Sequence, residues 1–578
     1  MKRSHLRMLL GLTLCGLAVF AAWSWWQRAD LSFTSQSPPP TNENHLAHHF
    51  APPEAPLEIA GDDRNEEEKR YCAELQSKVD ALLSSASKSD ASTIAATERK
   101  LPSAALPLVQ QAIENKNLPP ATTQPIADAL SEDALRLRNA VAIQKRLAWY
   151  RANTLDIFDK STNSQRKYPA RIALQAAVRE WSYDPHASGD EPMIVWREAR
   201  AAHIDGGDDP LVLLAWAQNY LWLDGSDKAF AARLTHAAAQ SLGESDYPAI
   251  WKMEAKLLAA RALANNKPIA DPKAIDELIE QSKLMFEQVL SDPDLPRKQL
   301  LNLFDMIGQT SLAVYGDRRA LANPLFEELM KSSIDASTVF TVQGAFNVDY
   351  AWDARGSGWT ESVGPNAQQL MSQRLDKAAT ALERAWKIDP TNADAATNMI
   401  RVELGQGQGR DRMELWFARA MEADPDNYSA CMEKLYYLEP KWYGSGEEML
   451  KFGRACLATG NWDAGIPYVL VKAHLHVSQY TNDGWQQWPQ AGYFQNDPSI
   501  WSEIRAVYAQ DRQHRPRSVE KELQIARIAG WCRHWDEANQ LYDEIGNSYD
   551  TAAIPMDAMN QAKAEARRHP PSTNPSRF

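Results

Sequence analysis

The chain lacks the marks by which most enzyme classes are recognised. It has no Gly-x-Ser-x-Gly elbow, no His-Glu-x-x-His helix and no glycine-rich dinucleotide fingerprint. Acyl transfer, zinc hydrolysis and nicotinamide chemistry therefore have no local signature here. Cysteine is scarce, with five in 578 residues and none in a Cys-x-x-Cys pair, which removes the spacing of zinc and thioredoxin-like centres. Positive charge is short as well. The formal net charge is −13 with no strongly basic stretch, a balance that argues against nucleic acid as a partner. We expect no enzymatic activity, no cofactor and no metal site.

Strand patterning is also missing. Beyond the first sixty or so residues there is almost no period-2 alternation. Runs with apolar residues at i, i+3, i+4 and i+7 recur instead, among them Ile126 to Phe158, Leu211 to Leu223, Tyr247 to Ala264, Ile275 to Leu290 and Lys298 to Val314. Turn residues such as Gly206-Gly207-Asp208-Asp209-Pro210 and Asp292-Pro293-Asp294 separate them. The class expected is all-α. A single core stops growing near ~250–300 residues, whereas a stack of helical repeats extends in one dimension.

What is present begins at the amino terminus. Lys2, Arg3 and Arg7 precede an uncharged run from Met8 to Trp26, close to the ~20 apolar residues that cross a bilayer. Trp23, Trp25 and Trp26 stand where an interfacial belt lies, and the charge bias puts the amino terminus inside. Residues 1–30 read as a transmembrane signal-anchor in the inner (cytoplasmic) membrane, with the bulk of the chain outside. Cleavage after Val19-Phe20-Ala21 is the alternative. Residues 31–62, with Ser37-Pro38-Pro39-Pro40 and Ala51-Pro52-Pro53, read as a disordered proline-rich linker. Its His45, His48 and His49 lack the fixed geometry a metal needs. Beyond it we expect an N-terminal helical region at 63–335, a repeat region at 336–475, C-terminal helical repeats at 476–569 and a disordered tail at 570–578. Cys72, Cys431, Cys456 and Cys532 would then lie in a disulfide-permissive compartment. Cys431 and Cys456 fall on successive helices, either facing one another or buried as free thiols.

The repeat is carried by Leu375 to Pro440. Ala378, Leu382, Ala385 and Pro390 occupy small, large, small and proline positions, and Phe417, Ala420 and Pro425 repeat them, with the two prolines 35 residues apart. Such a period matches tetratricopeptide second helices. Alanine lets two helices approach, the large residue fills the gap above, and each Asp-Pro ends a helix. Echoes appear at Gly460 to Ala464 and at Trp535 to Ala538 with Tyr542. The expected fold is a tetratricopeptide-like α-solenoid of antiparallel helix pairs.

Two flanking elements carry a resemblance. "Asp349-Tyr350-Ala351-Trp352-Asp353-Ala354-Arg355-Gly356-Ser357-Gly358-Trp359" lies before the repeats, and "Leu435-Tyr436-Tyr437-Leu438-Glu439-Pro440-Lys441-Trp442-Tyr443-Gly444-Ser445" follows them. The pair, over residues 330–475, resembles the bacterial family called domain of unknown function 4034. That family joins an aromatic-Ala-Arg-Gly element to tetratricopeptide-like helices and a Leu-x-Pro-x-Trp-x-Gly-Ser element. The resemblance implies an architecture and no activity.

The leading reading is a membrane-anchored scaffold for a protein or peptide partner, with Trp352, Arg355, Trp359, Trp442, Tyr443, Trp485 and Trp488 as candidate contact residues. The alternative is a cell-wall or glycan-processing protein. In it, Asp349 and Asp353, one helical turn apart, supply carboxylates, and the Trp485 to Phe494 segment supplies an exposed aromatic platform for a glycan. A structural alternative for Arg355 is to fix a helix end by pairing with a carboxylate. His474-x-His476 points to different faces of a helix, and Gly405-x-Gly407-x-Gly409 reads as an inter-helix turn.

Overall fold

The computed structural model describes residues 132–569, apart from 162–166, 185–186, 188, 208, 222–227, 267–270, 357–362, 482–483, 487 and 547–555. Met8–Trp26, the proline-rich linker, Cys72, Trp359 and the tail at 570–578 lie outside the described residues. Among the described residues no helix is long and apolar enough to cross a membrane.

Within them the chain is all-α. The first group of helices is α1 (Glu132–Ala152), α2 (Leu155–Ser161), α3 (Lys167–Trp181), α4 (Glu191–Ile204), α5 (Pro210–Leu221), α6 (Lys228–Gly243), α7 (Ala249–Asn265), α8 (Pro272–Leu290), α9 (Arg297–Tyr315) and α10 (Arg319–Lys331). A middle group follows: α11 (Ala336–Arg355), α12 (Pro365–Ile388), α13 (Ala393–Gln406), α14 (Arg410–Ala423), α15 (Tyr428–Tyr437) and α16 (Gly446–Ala458). The last comprises α17 (Val469–Val477), α18 (Ala491–Gln495), α19 (Pro498–His514), α20 (Val519–Trp531), α21 (Trp535–Ile545) and α22 (Met556–Arg567). A two-residue antiparallel pair, β1 (Tyr480–Thr481) with β2 (Gly484–Trp485), sits between α17 and α18.

Most helices pack on their sequence neighbours, and the odd-numbered helices from α3 to α19 also touch one another in a continuous row. Short turns force consecutive helices to run antiparallel. The buried apolar side chains form three main clusters. The first runs to Tyr350, the second from Val348 to Ala473 and the third from Trp462 onward. Helix α11 belongs to the first two, with Phe346 and Tyr350 in one and Val348 and Ala351 in the other.

The expected packing positions behave unequally. Ala378, Leu382, Ala385 and Ala420 are fully buried, and Pro390 and Pro425 are half-buried at the turns. Leu382 is seated against Gly344 of α11, where a Cβ would lie 2.4 Å from Leu382 Cγ. Phe417 differs. It is only half-buried, edge-on to Phe452 with the Lys434 ammonium 4.3 Å from its ring centre, while Trp416 takes the core position. The run expected from Ile126 to Phe158 is also broken at Asn153 and Thr154. There Asn153 Nδ2 donates to the Trp149 carbonyl at 2.9 Å and Thr154 Oγ1 to the Tyr150 carbonyl at 2.5 Å. Short polar side chains that take helix carbonyls in this way favour a turn over continuation.

Two long-range ties hold early helices to late ones. In α1, Asn139 donates to Asp424 at the end of α14, and Arg138 lies 3.6 Å from Asp389 at the end of α12. Asp190, at the N-cap of α4, accepts from Ser518 Oγ and from the backbone N–H groups of Val519 and Glu520. It thus caps α20 from more than 300 residues away.

Candidate functional site

The two flanking elements meet. Trp352 stands in the last turn of α11 and Trp442 in the turn between α15 and α16, with ring centres 5.7 Å apart at 82°. Ninety positions separate them in sequence. The Arg355 guanidinium lies 5.7 Å from the Trp352 ring centre and 5.2 Å from that of Trp442. Cation–π attraction at such distances adds about 0.5–2 kcal/mol, most where water is excluded. Burial pushes the half-buried Arg355 down from the usual arginine range, so an incoming anion would meet a partly desolvated charge.

These side chains wall a cleft of about 320 Å³, together with Tyr443, Gln368, Ser372 and Gln406. The turn that makes room for it depends on glycine. Gly407 ends α13 in the left-handed conformation at φ 64°, and a Cβ there would lie 2.6 Å from the Tyr443 hydroxyl. The residues expected as contacts thus divide. Trp352, Arg355, Trp442 and Tyr443 share one cleft. Trp485 is half-buried beside it, with the Lys441 ammonium 5.0 Å from the Trp485 ring and 4.7 Å from that of Tyr436, itself edge-on to Trp442. Trp488 is half-buried and does not line the cleft.

The aromatic platform expected over Trp485 to Phe494 does not form as an exposed surface. Phe494 is 1 % exposed and stacks on Trp531, while Tyr493 donates to or accepts from His474 Nδ1 at 2.9 Å. The short helix α18 turns both rings inward against α20.

Asp349 and Asp353 lie one turn apart on α11 as expected, yet each faces a different arginine. Arg401 of α13 donates to Asp349 at 2.7 Å, and Arg318 donates to Asp353 at 2.6 Å and lies 3.3 Å from Asp305. Arg318 is 1 % exposed. Burial works against its charge, but Asp349, Asp353 and Asp305 together hold it well above the usual range. Burial raises Asp353, with Arg318 opposing. Glu433 of α15 is buried near Arg401 and is pushed up to about 7 by that burial. Arg318 and Arg401, rather than Arg355, are the partners that fix these carboxylates. No local pattern marks Arg318, Arg401 or Glu433, because each comes from a different helix.

The two histidines on α17 separate. His474 meets Glu503 at 3.0 Å, and His476 meets Glu439 at 2.8 Å. Glu439 also accepts from Tyr480, and Lys441 lies 2.8 Å away. Burial opposes its charge, but Lys441 and His476 hold it down to about 2. Cys431 and Cys456 are buried free thiols, and burial pushes the Cys456 thiol well up. Among the described residues no group of three or more His, Cys, Asp or Glu is placed to hold a metal ion. No protein-family model matches this chain, and no curated protein matches it.

Proposed function

We propose that this chain is a scaffold of tetratricopeptide-like helix pairs, kin to domain of unknown function 4034, anchored through Met8–Trp26 with its bulk outside the cytoplasmic membrane. It binds a protein or peptide partner at the Trp352–Arg355–Trp442 cleft and carries out no catalysis. One observation carries this reading. Two sequence elements ninety positions apart converge on a guanidinium set against two indoles at the wall of an open cleft. Tryptophan and arginine are the side chains that most often dominate interface energy. The nearby acids lie in ion pairs with arginines rather than facing each other, which suits a structural role.

The test uses the full chain in cells, with a photo-activated cross-linking residue at Tyr443 and, as a control, at the exposed Leu284 of α8. A partner adduct at Tyr443 that disappears with Trp442→Ala is the expected result. Equal adducts at both positions, or none at Tyr443, would oppose the proposal. The amides of Gln368 and Gln406 beside two indoles also suit a glycan. That second reading requires glycan turnover to fall in Asp349→Asn or Asp353→Asn.

A further inference from the structure

A second concavity lies on the other flank of α12. Helix α11 is its floor, and α10 and α12 are its walls, around a groove of about 680 Å³. On α10, Arg319 and Phe326 stand seven positions apart on one face. On α12, Lys377 and Arg384 do the same. Seven residues span roughly 10 Å of helix, so each wall presents about two turns. The floor carries Phe340 and Phe346 with the amides of Gln343 and Asn347, and Phe326 adds a ring from the α10 wall. Phe340 and Phe326 are both half-buried, and Phe326 is stacked on Phe304 at 4.5 Å.

The groove's charge runs against that of the chain. Three cations line it against one acid, Asp376, in a protein of net −13, and one of the three, Arg319, lies 3.6 Å from Asp317. Asp376 is engaged on its far side, accepting from Gln406 Nε2 at 2.9 Å. Among the described residues neither Lys377 nor Arg384 forms an ion pair, and the Arg384 guanidinium lies 4.2 Å from the Phe340 ring centre. A partly aromatic floor two turns long between cationic walls is complementary to one kind of guest. That guest is a helix with apolar side chains on one stripe and carboxylates along its flanks. A lipid headgroup would meet the cations, but it has nothing to lay along a recessed phenylalanine floor walled by two helices.

We infer that the α10–α11–α12 groove docks a short acidic amphipathic helix of a partner protein, with Lys377 and Arg384 on one side and Arg319 on the other reading its carboxylates. This surface lies on the opposite flank of α12 from the tryptophan cleft and shares with it only Asp376. The probe is a fluorescent synthetic helix of about four turns with leucine and phenylalanine on one stripe and glutamate on its flanks. Two further probes are a copy with every glutamate changed to lysine and a copy of scrambled order. Binding to the detergent-solubilised full chain is read by anisotropy, with folding of each variant checked by circular dichroism. We expect saturable binding of the acidic helix alone, weakened by added salt. The double change Lys377→Glu/Arg384→Glu should weaken it roughly tenfold or more, a loss of about 1.4 kcal/mol. Thr380→Trp, which fills the groove without altering charge, should weaken it as much, and Trp442→Ala should leave it unchanged. The inference is overturned by absence of saturable binding, by equal affinity for the lysine or scrambled copy, or by wild-type affinity in both groove variants. It is also overturned if phosphatidylglycerol vesicles bind this face and the acidic helix does not displace them.

Discussion

Asn427 and Thr397, thirty positions apart, share a hydrogen bond of 3.0 Å in which Asn427 Nδ2 donates to the Thr397 hydroxyl. The same asparagine caps α15, its Oδ1 accepting from Ala430 N–H at 2.9 Å. Thirty-five positions earlier, Asn392 caps α13 and donates to Ser337 and Thr341 of α11. Thirty-four positions later, Asn461 accepts from Ala464 N–H and donates to Asp426 and to the Pro425 carbonyl. Asn392 and Asn427 each use the amide oxygen to start one helix pair and the nitrogen to hold the pair before it, and Asn461 does the same for the turn that leads into α17. The repeat is therefore fixed by polar capping as well as by alanine spacing.

Removing a rung should cost both functions. Asn392→Ala is expected to lose about 2 kcal/mol of stability, combining a lost cap with lost bonds to buried hydroxyls. Asn427→Ala, whose rung is only partly buried, should lose about 1 kcal/mol. Urea denaturation of the full chain measures both, and equal losses below ~0.5 kcal/mol would show that the ladder is decorative.

Gly344 and Leu382 make a second checkable contact. Gly344→Ala places a methyl on Leu382 and should destabilise by about 1–3 kcal/mol, the usual range for overpacking. Leu382→Ala alone creates a cavity and should cost about 2–5 kcal/mol. The double change should cost less than the sum, because the alanine methyl then occupies vacated space. Simple additivity in the double-mutant cycle would contradict the close approach.

Glu433 predicts a pH dependence. Its folded value near 7 lies above its ordinary 4.5, so the folded chain holds a proton that the unfolded chain releases. Its contribution to stability is present below about 4.5 and is lost as pH rises through about 7. Glu433→Gln should leave the melting temperature nearly unchanged at low pH and raise it by a few degrees above pH 7. A constant offset across the range would refute this assignment.

The buried pair of Arg318 and Asp353 should be structural. Arg318→Met strands Asp353 and Asp305 and should destabilise by about 3–5 kcal/mol. Asp349→Asn and Asp353→Asn should lower thermal stability and leave glycan turnover by the cells untouched. Turnover that falls in a variant still folded by circular dichroism would favour the glycan reading.

Helix positions are legible in the sequence where burial is one-sided. The periodicity from Lys298 to Val314 locates Arg297–Tyr315, because a 3.6-residue stripe must face the core. The break at Asn153 and Thr154 is hidden, since it arises from side chains taking their own helix carbonyls. Trp352, Arg355, Trp442 and Tyr443 stand out as elements, but their meeting depends on how many helix pairs lie between them. Phe494 misleads, because an aromatic in a polar segment gives no hint that Trp531 will cover it. The asparagine spacing at 392, 427 and 461 is visible once the ladder is known. Beside it, the Asp-Pro pairs draw attention as stop signals.

The central claim, that the cleft is where this chain meets its partner, is tested most directly by hydrogen exchange on the full chain with and without the cross-link-identified partner. New protection should concentrate in the segments around Trp352 and Arg355, Gln368 to Ser372, Gly405 to Gln408 and Trp442 to Tyr443. Protection confined to the helix α17 to α18 segment, or to the buried acids around Arg318 and Arg401, would contradict it.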